Sequence, residues 1–212
     1  MKRIVFFFLV AGFLVSCKKP EDRTCFKSTG KVVTKTIDLE PFQMLALYEH
    51  VEYVLVQDSV HKLVLTGGEN LINLIDAKVV SNRLDIANNN KCNFLRSYKK
   101  KKIIAEIHFK ELVNIDFRGS ESLTNEGTLF TDWFTLSIVD GSGSVNLNLD
   151  AKHIEAGVSH GWGDFTLKGK ANSAVLHVQS NGYCNTNELK IKDSLRVISK
   201  TSGICQVNAQ NV

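Results

Sequence analysis

The chain has 212 residues, 43% of them hydrophobic, with 26 Lys+Arg against 22 Asp+Glu and a formal net charge of +4. That length can bury one substantial core, or a repeat array with a short entry module. The nearly balanced charge offers no extended basic face, so nucleic acid is not expected as a partner.

Residues 1–16 read as an export signal. Lys2 and Arg3 form a positive start, and Ile4 to Val15 is an apolar run of twelve residues, short of the roughly 20 that a permanent membrane helix needs. Leu14-Val15-Ser16-Cys17 then resembles the bacterial lipoprotein box. Cleavage before Cys17 would make it the lipidated N-terminus, and several acyl chains on one residue anchor a protein stably where one is marginal. The expected location is therefore the outer membrane, with the protein facing the periplasm or the cell surface, and the membrane is a partner through the lipid. Loss of Lys2 and Arg3 with the signal leaves 196 residues and a formal charge of +2.

Residues 17–30 comprise the lipidated Cys17 and a polar stretch without periodicity, read as a tether. Lys19-Pro20-Glu21-Asp22 resembles, with a proline inserted, the short signal that sends some Bacteroidetes lipoproteins to the surface. From residue 31 to 212 a single folded domain is expected, with entry strands over 31–110 and repeat coils over 111–212. In the entry region Val51–Val56, Lys62–Thr66, Arg83–Ile86 and Ile103–Phe109 alternate with period two, separated by turn residues such as Gly67-Gly68 and Ser81-Asn82. One short helix is expected around Glu69–Ile75. Lys99 to Lys102, the only basic run, reads as a solvated loop or a guard on an edge strand.

Asp140-Gly-Ser-Gly-Ser-Val145 recurs as His160-Gly-Trp-Gly-Asp-Phe165, and more loosely at Gln179–Cys184, Lys200–Cys205 and Arg118–Leu123. With Glu121, Gly143, Gly163, Gly182 and Gly203 taken as equivalent, the spacings are 22, 20, 19 and 21 residues, a solenoid period. The fold class expected is all-β, a parallel β-helix with coils of about 20 residues. Each coil would hold a strand (Leu136–Ile138, Ile154–Val158, Val175–Val178, Leu195–Ile198), a corner whose glycine permits positive φ, and a second strand. Rungs stacked at about 4.8 Å would align Leu123, Val145, Phe165, Cys184 and Cys205 in one inward column.

These corners, preceded by Phe42–Val56 and Gly68–Ile75, resemble the GIN domain described as the head of putative auto-transporter adhesins, found mainly in exported Bacteroidetes proteins. The resemblance spans roughly residues 36 to 210 and includes Phe109-Lys-Glu-Leu112, where the family commonly has a Pro-Glu-Leu turn. It weakens at Glu121, Asn181 and Thr201. It implies a right-handed parallel β-helix and suggests adhesion.

A non-catalytic binding or adhesion module of the cell envelope is the function expected, with a structural spacer or assembly element as the alternative. A carbohydrate-active enzyme would need clustered carboxylates, whereas Asp116, Asp140, Asp150, Glu155 and Asp164 are scattered along the coil. No cofactor is indicated, and His153 and His177 fall in different columns from His160, so no metal site is expected either. Asp140 and His160 should stack as an exposed corner pair worth well under about 1 kcal/mol. Trp162 and Tyr183 flank corner glycines and, with Asp140 and His160, form the candidate surface for a glycan or protein ligand. Cys25, Cys92, Cys184 and Cys205 allow three pairings. Stacked Cys184 and Cys205 would have parallel Cβ directions, so they are expected to be buried thiols.

Overall fold

The computed structural model describes residues 28–91 and 102–208; the export signal, Cys17, Cys25, Cys92 and Lys99 to Lys101 lie outside the described residues. The strands are β1 (Val32–Asp38), β2 (Met44–Leu47), β3 (Glu52–Gln57), β4 (Lys62–Gly68), β5 (Ile75–Val80), β6 (Arg83–Asn88), β7 (Ile104–Phe109), β8 (Asn114–Phe117), β9 (Leu123–Asn125), β10 (Leu129–Ile138), β11 (Ser144–Val158), β12 (Asp164–Ser180), β13 (Tyr183–Thr186), β14 (Leu189–Thr201) and β15 (Cys205–Val207). They form a β-solenoid of about 4 turns with coils of about 21 residues.

Two parallel ladders run the length of the solenoid. One stacks β6, β2, β8 and the C-terminal parts of β10, β11, β12 and β14. The other stacks β7, β3, β9, the N-terminal parts of β11 and β12, then β13 and β15. Alternation along each strand sends every second side chain inward, and parallel register turns these into continuous columns. Leu47, Phe117, Ile138, Val158 and Val178 make one of them. Leu123, Val145, Phe165, Cys184 and Cys205 pair in register as the repeat implied, with Tyr53 extending the column beneath Leu123. Tyr53 is fully buried, and its hydroxyl donates to the Tyr48 carbonyl at 2.9 Å. Burial pushes this phenol well above its ordinary pKa.

The entry strands are less separate from the coils than their sequence suggests. β2 and β3 are already solenoid rungs, and β6 and β7, later in the chain, lie on the far side of them from β8 and β9. Beyond β6 and β7 the pairing turns antiparallel: β5 on β6, and β4 then β1 on β7. These strands close that end of the array, as terminal repeats must. The helix is shorter than the 69–75 expected. α1 covers only Glu69–Ile72, because Ile75 is drawn into β5, while Leu71 and Ile72 are buried. Asn70 at its start donates from its side chain to the Ser28 carbonyl at 2.9 Å and from its backbone to Thr29 at 3.2 Å. Ser28 and Thr29, expected to lie in the tether, therefore dock on the fold. Lys102, the described end of the basic run, pairs with Glu52 at 2.7 Å.

The corner glycines are needed for a different reason from the one expected. Gly143, Gly163, Gly182 and Gly203 do not have positive φ; in these corners that conformation falls on Asp140 (56°), Gly161 (93°) and Ser180 (61°). A Cβ on Gly143 would lie 2.0 Å from the Glu121 carbonyl oxygen, and one on Gly203 2.3 Å from that of Gly182. Close approach of successive corners, at rung spacing, is what excludes a side chain there.

The expectation of two free thiols is also corrected: Cys184 and Cys205 form a disulfide, with Cα atoms 4.6 Å apart. One rung of separation lies inside the allowed range. The freedom to converge comes from the end of the array. Cys205 sits on the three-residue β15, which among the described residues pairs only with β13 and leaves the cysteine half-exposed.

Candidate functional site

The corners stack into a ridge along one side of the solenoid. At its start the His50 amide donates to Ser120 Oγ at 3.2 Å, and His50 Nδ1 lies 3.6 Å from Glu121 Oε1. Tyr48, His50, Asn88, Arg118 and Asp140 line a shallow groove of about 430 Å³ beside it. Further along, Trp162 is held between Gly161 and Gly163, with its amide donating to the Gly141 carbonyl at 3.1 Å. Its indole is 74% exposed. The main chain beneath the ring is thus pinned to the neighbouring coil while the ring itself stands free, a suitable arrangement for an aromatic contact. One carboxylate oxygen of the adjacent Asp164 is buried with no hydrogen-bond partner.

Tyr183 behaves differently. It is half-buried, and its hydroxyl donates to Gln206 Oε1 at 3.1 Å, so the ring lies over the last rung. Asp140 and His160 occupy equivalent places on adjacent coils and are both exposed, but no ion pair joins them. Of the four residues expected to form the surface, Trp162, Asp140 and His160 are therefore exposed, and Tyr183 is partly covered.

The carboxylates named in the sequence are spread over the faces, and two of them are engaged in separate pairs. Asp150 pairs with Lys170 at 3.0 Å, and Glu155 lies 3.8 Å from His177. Among the described residues, no three His, Cys, Asp or Glu side chains converge so as to hold a metal ion. The tightest polar cluster went unnoticed in the sequence. The nearly buried His108 lies between Asp58 (Nδ1 to Oδ2, 2.7 Å) and Glu106 (Nε2 to Oε1, 2.6 Å). The Val60 backbone N–H, then the His108 ring, hold the Asp58 carboxyl below its ordinary pKa. This cluster staples the loop after β3 to β7. Two exposed aromatics were also missed: Phe130, and Trp133, whose ring stacks on His153 with centroids 4.1 Å apart. The signal was present, because Phe130 and Trp133 flank Asp132 on a strand whose other aromatic, Phe134, is inward.

The family model described as "Putative auto-transporter adhesin, head GIN domain" matches residues 41–212. The chain belongs to this family. The matched segment takes in the whole corner ridge from His50 onward and every solenoid rung. Among solved structures, the GIN domain here resembles a putative adhesin from Bacteroides fragilis NCTC 9343, with TM-score 0.75 and 24% identity over 84% of this chain and 81% of that one. It also resembles a putative adhesin from Parabacteroides merdae ATCC 43184 (TM-score 0.56, 14% identity, 84% and 81% covered). A third, a putative lipid binding protein from Parabacteroides distasonis ATCC 8503, has TM-score 0.53 at 16% identity, with 84% and 82% covered. These likenesses establish the shared fold. No curated protein matches the chain in sequence. Among the described residues of this GIN domain, no helix is long and apolar enough to cross a membrane.

Proposed function

We propose that this GIN domain is a non-catalytic binding or adhesion module, carried by an exported lipoprotein anchored in the outer membrane through Cys17 and facing the periplasm or the cell surface. The observation that carries the reading is Trp162: a large aromatic ring, 74% exposed, on a corner whose main chain is hydrogen-bonded to the next coil. A rigid platform of this kind loses little entropy on binding a sugar ring or an apolar side chain. The family description supports adhesion, and the Cys184–Cys205 bond accords with an oxidising compartment outside the cytoplasm.

Screening the protein against glycans and matrix proteins provides the ligand for the test. Trp162→Ala is then expected to weaken binding by about 1 kcal/mol or more, with unchanged thermal stability because the ring covers almost none of the core. Tyr183→Ala should weaken it less. Unaltered affinity in the Trp162→Ala protein would remove the corner from the site. Anchoring is tested separately: Cys17→Ser should abolish incorporation of a fatty-acid analogue, and label retained on the mutant would refute the lipoprotein assignment.

A spacer or assembly element is the second reading. It is favoured by the last coil, where, among the described residues, β14 and β15 are each paired on one side only, and silence in the screen would support it.

A further inference from the structure

A second surface lies away from the glycine ridge. Parallel register places Phe130, Asp150, Lys170 and Lys190 in one outward column. A second column, at the corner where the ladder is interrupted, holds Asp132, Lys152, Asn172 and Lys192. Between them lie the buried Ala151 and Ala171, and the surface over them is a valley flanked by the longer outward side chains of the two columns. Two shallow depressions, of about 570 and 360 Å³, open along this valley and share Asp150, Ala151 and Asn172, so they form one continuous groove.

The charges in the groove are not balanced. Lys152 is neutralised by Asp132 at 2.6 Å and Lys170 by Asp150 at 3.0 Å. Among the described residues, neither Lys190 nor Lys192 has a carboxylate within ion-pair distance. Lys190 stands directly beside Lys170 on the adjacent rung, and like charges facing one another across a ladder are unfavourable. At the other end Phe130 is 59% exposed. Its backbone is clamped by the Gln57 amide, which accepts from the Phe130 N–H at 2.8 Å and donates to the Phe130 carbonyl at 2.9 Å. The groove thus has a fixed aromatic platform at one end, beside Lys110, Glu111 and Asp132, two cations without a carboxylate partner among the described residues at the other, and Asp150 and Asn172 between them.

We propose that this groove binds an extended acidic polysaccharide lying along the solenoid axis. One sugar would stack on Phe130, hydroxyls would meet Asp150 and Asn172, and a uronate or sulfate group would sit between Lys190 and Lys192. Three rung spacings separate Phe130 from Lys190, about 14 Å at roughly 4.8 Å each, enough for a short run of sugars. An extended peptide along this axis is a poorer fit, because the main-chain groups of the Asp150 and Lys170 rungs are engaged in the ladder and those of Phe130 by Gln57; the free edge of β14 would take a strand only across the end of the solenoid, not along the groove. The inference rests on the binding-module reading and names its ligand class.

The test uses the full chain with polygalacturonate, heparin, neutral dextran, poly-glutamate and phosphatidylglycerol vesicles as probes, at low and moderate salt. Saturable, salt-sensitive binding to polygalacturonate or heparin is expected, with dextran and poly-glutamate much weaker. Lys190→Ala with Lys192→Ala, and separately Phe130→Ala, should each weaken it about tenfold, with melting temperature and gel-filtration volume unchanged. The charge-matched control, Lys31→Ala with Lys35→Ala on the opposite, capped end, should bind as the parent does. Equal affinity in the groove variants overturns the proposal, as does equal binding of poly-glutamate or a response to vesicles alone. Aggregation of the lysine variant without loss of binding would show that the lysines only guard the edge strand, and also overturns it. A glycan that needs Trp162 but not this groove would overturn the groove and leave the module reading standing.

Discussion

Phe165→Asp is expected to abolish the cooperative unfolding transition of the solenoid. Phe165 is 1% exposed and sits mid-column, with Val145 on one side and Cys184 on the other. Removing the ring forfeits about 3–5 kcal/mol of packing, and a carboxylate in its place adds several kcal/mol of uncompensated burial. Together these approach or exceed the roughly 5–15 kcal/mol by which a domain is stable. The position aggravates the loss, because each coil is held only by its neighbours and a failed central rung separates the two ends of the array. Thr166→Asp, one residue on and facing outward, should cost no more than about 1 kcal/mol. Calorimetric or circular-dichroism melting distinguishes the two variants. If Phe165→Asp melted as the parent does while Thr166→Asp did not fold, the strand register would be wrong by one residue.

Opening the Cys184–Cys205 bond should produce the second large loss. The bond closes a sequence separation of 21 residues, for which chain entropy gives about 3 kcal/mol. The loss should be local. β14 is exposed along most of its length and, among the described residues, β15 pairs only with β13, so little else among them holds the terminal coil. Cys205→Ser is the cleaner variant, since Cys205 is half-exposed and Cys184 remains as a buried thiol. Hydrogen exchange should show β14 and β15 amides losing protection while the centre of β11 keeps its own, along with a lower melting temperature. Unchanged protection in β15 after substitution would mean that the last coil is secured by packing alone.

The division between what could be read early and what could not follows the kind of information each feature needs. A repeat carries its own register. Because Leu123, Val145, Phe165, Cys184 and Cys205 follow corners of similar chemistry at nearly constant spacing, their stacking was legible from the chain alone, as were the parallel rungs and the all-β class. Alternation supplied the inward faces, and the exposed Trp162 followed from its place between two glycines. The expected export signal and Cys17 box also rest on local patterns, and they lie in the part of the chain outside the described residues.

Only the tertiary structure decided the features that bring together residues unlike in sequence. β6 and β7 lie beyond β2 and β3 with no repeat to announce it, and the antiparallel closure by β1, β4 and β5 depends on pairings between strands that share no motif. The role of Gly143 and Gly203 depended on where a neighbouring carbonyl lies. The disulfide depended on Cys205 occupying a terminal rung, where one side is uncovered and the side chain can converge on its partner. Tyr183 was covered by Gln206 from the next coil. The lysine groove was hidden for a related reason: burial imposes a period on the inward columns, whereas outward columns are free to vary, so Phe130, Asp150, Lys170 and Lys190 share no pattern until the coil superimposes them.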